Sequence, residues 1–273
     1  MQLVNTERIY LFEGVKDIFL DLYVMNDKRL KPRDAMLVIP GGGYGYVCLD
    51  REGEKTALAY LARGINAYVL NYRCKKEDVF PKHLEYAARA MKWIRENAES
   101  HNTNPERVFA TGFSAGGHLC ATLATKHEYI ENLLGFEKGV AKPLGVVLAY
   151  PVITAIGPCH KGSFMHLLDK HFEEITDEEK KLHSLEFQVN ENTSPAFIWH
   201  TAEDQAVPPH SSLKLALAYA DAGVPFTLHI YPYGPHGTAL ATEYSNPNDG
   251  KPRVQPMAAK WFEESIDWMQ TVK

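Results

Sequence analysis

Three side chains in this sequence have the types and the order needed to move an acyl group: Ser114, Asp204 and His236. Ser114 sits in Gly112-x-Ser114-x-Gly116, the spacing of a serine held on a sharp strand-to-helix turn. Such a turn leaves little room around the serine, so its flanking positions must lack bulky side chains. The helix that follows brings its unpaired N–H groups and the positive end of its dipole toward the hydroxyl. A serine hydroxyl attacks a carbonyl only when a base takes its proton, and a histidine oriented by a carboxylate supplies that base. Asp204 lies in Thr201-Ala-Glu-Asp204-Gln-Ala-Val-Pro208 and His236 in Gly234-Pro-His236-Gly237, each just past an expected strand. The order Ser114, Asp204, His236 is that of a hydrolase triad on a sheet of alternating strands and helices. Glu203 is the rival carboxylate. Of the twelve histidines, His118 reads as a helix residue beyond the serine and His200 as a strand end.

A tetrahedral intermediate also needs donors for its oxyanion. Pro40-Gly41-Gly42-Gly43 follows a buried apolar run, and consecutive glycines leave the N–H groups of Gly42 and Gly43 uncovered. The Ala115 N–H, next to the nucleophile, is a third donor. A phosphate-binding loop is the other use for such glycines, but neither G-x-x-x-x-G-K-[ST] nor G-x-G-x-x-G fits the spacing.

The elements that must position these groups follow from the hydrophobic pattern. Residues 7–12 and 17–25 alternate, which predicts an antiparallel pair at a sheet edge. Continuous apolar runs at 35–39, 67–72, 108–111, 144–150 and 195–201 predict strands buried on both faces, with a further strand at 226–231. Helical spacing predicts helices around Leu58–Ala62 and over 82–99, 115–126, 210–222 and 255–271. The alternation predicts a mostly parallel central sheet with helices on both faces, in which ligands gather at the carboxyl ends of the strands. Residues 152–193 break the rhythm. They are polar and His-rich, with one helix expected near 177–187, and read as a lid-like insertion in a single domain spanning 1–273.

Apolar residues make up 45% of the 273 and charged residues 23%, with a formal net charge of −5. That balance disfavours nucleic acid as a partner. The N-terminal stretch lacks the pattern of a signal peptide, and no apolar run reaches 18 residues, so a cytoplasmic protein without a membrane partner is expected. Cys48, Cys74, Cys120 and Cys159 are scattered without a C-x-x-C pair and read as reduced residues, not a disulfide frame or a metal site.

The pieces Ile39-Pro-Gly-Gly-Gly-Tyr44, Leu70-Asn-Tyr-Arg73, Asn104 through His118, Thr201-Ala-Glu-Asp204 and Pro235-His-Gly237 resemble the α/β-hydrolase esterase/lipase group. Within it the chain is similar to bacterial acetyl esterases and acetyl-xylan (feruloyl) esterases. The resemblance implies an α/β-hydrolase fold and a serine carboxylesterase for short acyl esters, with acetyl groups on sugars or xylo-oligosaccharides the expected substrates. No metal or organic cofactor is implied. Relatives with a His-Gly-Gly-Gly loop carry histidine where this chain has Pro40, a change that should touch loop support more than the backbone donors. An aspartate often found ahead of the long helix has no evident counterpart, Glu85 being the nearest carboxylate. Tyr44, Tyr46 and Tyr233 are expected at the pocket mouth, with His160, Phe164, His166, His171 and Phe172 above it. An amidase, formamidase or peptidase on the same scaffold, or a non-catalytic binding protein, stays open, as does a homo-oligomer.

Overall fold

The computed structural model describes residues 4–25 and 27–273. In chain order the strands are β1 (Val4–Phe12), β2 (Val15–Met25), β3 (Arg33–Ile39), β4 (Asn66–Asn71), β5 (Thr103–Phe113), β6 (Val146–Ala149), β7 (Ala196–Thr201) and β8 (Phe226–Tyr231). The helices are α1 (Lys55–Ala62), α2 (Lys82–Glu96), α3 (Ser114–Leu134), α4 (Lys161–Leu168), α5 (Asp177–His183), α6 (His210–Asp221) and α7 (Trp261–Thr271). The strands form one sheet in the order β1-β2-β4-β3-β5-β6-β7-β8. β1 with β2, and β2 with β4, run antiparallel, and every pairing from β4 to β8 is parallel.

The apolar runs behave as strands covered on both faces. In β3, Ala35, Leu37 and Ile39 enter one core with residues of α2, α3 and α6, while Met36 and Val38 enter the other with residues of α1 and α7. Register then places the site. Ile39 pairs with Gly112, so the glycine loop after β3 and the turn after β5 leave the sheet at one level. Thr201 pairs with Tyr231, so the Asp204 and His236 loops also emerge side by side.

The structure differs from the sequence pattern in four places. α3 passes the expected end at 126 and continues to Leu134, with a break at Lys126 (φ −122°, ψ 21°) and a left-handed Gly135 closing it. The first part of the expected 255–271 helix is instead a loop and a short 3-10 turn, because Pro256 lies within it. Residues 152–193 hold two helices, not one. α5 ends at His183, earlier than expected, and starts in a capping box in which Thr176 and Glu179 satisfy each other's N–H groups. The insertion is tied down: Phe164, Leu167, Ile175 and Leu185 are buried in the core on the α2/α3 face. No helix is long and apolar enough to cross a membrane among the described residues.

That core also encloses ionisable groups. Burial pulls His118 down to about 3 and both His83 and His183 to about 4, from an ordinary 6.5. An unfolded chain protonates each near pH 6.5, whereas the folded chain does not until pH 4 or below. Between these values the unfolded state binds more protons, so stability must fall as the pH drops. Each group contributes ~1.4 kcal/mol per pH unit, and the three together up to ~4. Urea midpoints are therefore expected to fall steeply from pH 7 through 6 to 5, and equal midpoints across that range would contradict the burial assignment.

Candidate active site

The turn after β5 is one of the strained points among the described residues. Ser114 takes φ +53°, a left-handed value that costs a non-glycine residue ~1–3 kcal/mol unless its surroundings impose it. The neighbouring glycines show what imposes it. A Cβ on Gly116 would lie 2.2 Å from the Ile39 carbonyl oxygen and 2.3 Å from that of Pro40, and one on Gly112 would lie 2.3 Å from the Gly116 oxygen. Without side chains there, the start of α3 presses against the end of β3 and brings Gly41–Gly43 beside the serine.

His236 lies between Ser114 and Asp204, where a base for the serine would have to stand. His236 Nε2 is 2.8 Å from Ser114 Oγ, and His236 Nδ1 is 2.6 Å from Asp204 Oδ2. An ionised carboxylate only accepts, so Nδ1 carries the hydrogen and Nε2 is free to accept from the Ser114 hydroxyl. Asp204 is buried, and its Oδ1 accepts the N–H groups of Ala206 at 3.0 Å and Val207 at 2.9 Å. Burial alone would raise the Asp204 carboxyl, but hydrogen bonds from His200 and His236 outweigh it and hold the group well below the ordinary carboxylate range. Asp204 thus stays ionised. His200, at the end of β7, directs Nε2 to the Val207 carbonyl at 2.9 Å and lies 3.3 Å from Asp204 Oδ2, with Ser212 Oγ 2.8 Å from its other nitrogen. It braces the loop that carries the aspartate. Glu203 is exposed and accepts the Gly234 N–H at 3.2 Å, so it supports the histidine loop and leaves His236 to Asp204.

The glycine loop is held by its carbonyls and by one N–H. The Tyr72 hydroxyl donates to the Pro40 oxygen at 2.7 Å, and His166 Nδ1 donates to the Gly43 oxygen at 2.8 Å. Glu52 Oε2 accepts the Gly41 N–H at 2.8 Å, and its Oε1 accepts the Tyr150 hydroxyl at 2.9 Å. Tyr150 in turn accepts the Ala239 N–H at 2.9 Å and packs edge-on to His236, ring centroids 5.0 Å apart. One buried carboxylate and one tyrosine therefore join the glycine loop to the histidine loop. Gly42 and Gly43 adopt φ +133° and +64°, and their N–H groups have no protein partner among the described residues. The Ala115 N–H belongs to the first turn of α3, where no helical carbonyl reaches it. Ser114, His236, Gly42 and Gly43 line one pocket of about 450 Å³, together with Tyr46, Arg51, Glu52, His160 and His166. Cys48 also borders it, but burial pushes its thiol up to about 12, so it stays neutral and unreactive.

Some expected residues fall elsewhere. Tyr44 is buried, not at the mouth, because its hydroxyl lies 2.9 Å from His118 Nδ1 and its ring packs 4.8 Å from that of His83. Tyr233 is exposed and does not line the pocket, whereas Tyr46 does. Of the insertion residues, His160 and His166 reach the pocket, Phe164 is core, and His171 is exposed. The buried carboxylate ahead of α2 is Asp78, which takes both Arg73 and the Tyr86 hydroxyl, while Glu85 pairs on the helix surface with Lys82 and Arg89. Glu52 and Tyr150 escape the sequence reading, and His200 reads there only as a strand end, since nothing in a single chain marks a carboxylate that will meet a loop eleven residues upstream.

The sheet, the strained serine and the strand-end loops define an α/β-hydrolase. The chain belongs to the BD-FAE family, whose profile matches residues 20–219. It is 40% identical over 241 residues to endo-1,4-beta-xylanase B of Butyrivibrio fibrisolvens, covering 87% of this chain and 37% of that protein. It is 30% identical over 214 residues to the acetylxylan esterase of Xylanibacter ruminicola, covering 76% of this chain and 42% of the other. The chain thus spans about two fifths of these relatives' length. Among solved structures, the acetyl ester-xyloside bifunctional hydrolase of Caldicellulosiruptor lactoaceticus superposes with a TM-score of 0.80 at 31% identity, covering 97% of this chain and 96% of that one. The carboxylesterase Cest-2923 of Lactobacillus plantarum gives 0.84 at 26% identity, covering 99% and 98%.

Proposed function

We propose that this chain is a serine carboxylesterase that removes short acyl groups, acetyl above all, from sugars or xylo-oligosaccharides. The observation that carries the reading is the hydrogen-bonded line Ser114–His236–Asp204, whose Ser114 and His236 line one pocket with Gly42 and Gly43, glycines whose N–H groups have no partner among the described residues. In the cycle, His236 Nε2 takes the Ser114 proton as Oγ attacks the ester carbonyl, and Asp204 stabilises the imidazolium. The oxyanion is received by the N–H groups of Gly42, Gly43 and Ala115. The C–O bond to the alcohol then breaks, His236 protonates the leaving alkoxide, and the acyl group stays on Ser114. Water, deprotonated by His236, releases the acid and restores the serine.

The substrate class rests on the pocket wall and on the relatives. Tyr46, Arg51, His160 and His166 offer an aromatic face and hydrogen-bonding groups in place of a long aliphatic slot, which suits a sugar more than a fatty chain. Two relatives are named for acetylxylan and acetyl ester-xyloside hydrolysis. Residues 152–193, which we take to belong to the same single domain, supply two of these groups, His160 and His166. Against p-nitrophenyl esters, kcat/KM is expected to fall by about 10-fold or more from acetate to octanoate, since each methylene without a matching slot loses binding in the transition state. Acetanilide should react far more slowly. A rate that rises with chain length would overturn the short-acyl reading, and a faster anilide would favour an amidase.

A further inference from the structure

Arg51 has no part in the chemistry above, yet it walls the same pocket as Ser114 and His236. It lies on the irregular helical turn Leu49–Glu54 that leads into α1, and its side chain is only 17% exposed. The nearest carboxylate, Glu52, is 3.6 Å away and is already engaged by the Gly41 N–H and the Tyr150 hydroxyl. Among the described residues the guanidinium makes no hydrogen bond to the chain, and its Nε is enclosed without a partner. An arginine whose Nε is enclosed without an acceptor, and whose nearest carboxylate stands beyond hydrogen-bond distance, is costly to keep unless something else supplies acceptors.

Its position says which part of a substrate would do so. A Cβ on Gly237 would lie 3.2 Å from Arg51 Nη2, so the guanidinium sits against the loop that carries His236. His236 must protonate the leaving alkoxide, so the alcohol part of the ester lies on that side of the pocket. We propose that Arg51 forms a subsite for a carboxylate on the alcohol part, and hence that the preferred substrates are acyl esters of acidic sugars, uronic acids in chemical class. A carboxylate presents two oxygens in the plane and spacing of a guanidinium fork, a match that neutral hydroxyls and a lysine ammonium both lack. Glu52 reduces the net charge nearby, so recognition comes from directional hydrogen bonds more than from long-range attraction.

The inference rests on the esterase reading, and the test separates the two. Acetate release is measured from methyl glucoside and methyl glucuronide acetylated at the same hydroxyl, with wild type, Arg51→Gln and Arg51→Lys. The wild type should prefer the glucuronide by roughly 10-fold or more in kcat/KM, the preference should collapse in Arg51→Gln, and Arg51→Lys should recover only part of it. An unchanged ratio in Arg51→Gln, or no wild-type preference, would overturn the subsite while leaving the esterase intact. No release from either ester would count against the esterase reading itself. Binding then decides the subsite alone: in Ser114→Ala, calorimetric affinity for unacetylated methyl glucuronide should exceed that for methyl glucoside and drop about 10-fold when Arg51→Gln is added. Equal affinities would overturn it.

Discussion

Ser114→Ala is expected to lower kcat on p-nitrophenyl acetate by roughly 10⁴- to 10⁶-fold without unfolding the protein. The size of the effect follows from removing the atom that, in the proposed cycle, carries the acyl group. What survives is the slower attack of water, assisted by His236 and by the N–H groups of the glycine loop. Stability should change little. Alanine keeps the Cβ at φ +53°, so the strain of the turn is the same, and only the hydrogen bond to His236 Nε2 at 2.8 Å is lost. A kinetic comparison alongside matched melting curves checks both halves. A variant that keeps more than about a hundredth of wild-type kcat would place the chemistry elsewhere, since loss of a lone oxyanion donor already costs 10²–10³.

Asp204→Asn is expected to lower kcat by about 10³–10⁴-fold, for a reason visible in the hydrogen bonds. The two carboxylate oxygens divide their work: Oδ1 accepts the Ala206 and Val207 N–H groups, and Oδ2 accepts from His236 Nδ1. Asparagine has one oxygen, and the two backbone donors claim it. Its amide nitrogen then faces His236 Nδ1 as a donor, so Nδ1 must become the acceptor and Nε2 must carry the hydrogen. That tautomer presents N–H to Ser114 and cannot take its proton. The loss should ease as the pH rises toward serine ionisation, whereas a variant that merely misfolds would show the same loss at every pH. Asp204→Ala, which leaves the buried Val207 N–H and the part-buried Ala206 N–H unpaired, should also lower the melting temperature more than Asp204→Asn does.

How much of this was legible beforehand differs by the kind of residue. The catalytic candidates were readable because each sits beside a local signal: Ser114 between glycines, Asp204 and His236 just past apolar runs that could only be strands. The sheet was readable for the same reason, as β3 and β7 are apolar on both faces. The support was not. Glu52 meets Gly41 and Tyr150, and Tyr150 meets Ala239, through contacts that span 11 to 98 residues and leave no periodic trace. Tyr44 misled for a related reason. Its neighbours Gly43 and Gly45 suggest an open loop, but burial of its ring beside His83 and His118 is a property of the core beneath, which α2 and α3 supply. The helix ends were misjudged where a kink at Lys126 and a proline at 256 interrupt otherwise helical spacing.

The claim at the centre is that Ser114, activated by His236, forms the covalent acyl-enzyme. A fluorophosphonate probe followed by intact mass and peptide mapping tests it most directly, because phosphonylation needs the same activated hydroxyl and the same oxyanion donors. A single adduct on Ser114 is expected in the wild type, strongly slowed in Asp204→Asn and absent in Ser114→Ala. No adduct on the wild type, or labelling that persists in Ser114→Ala, would contradict the account.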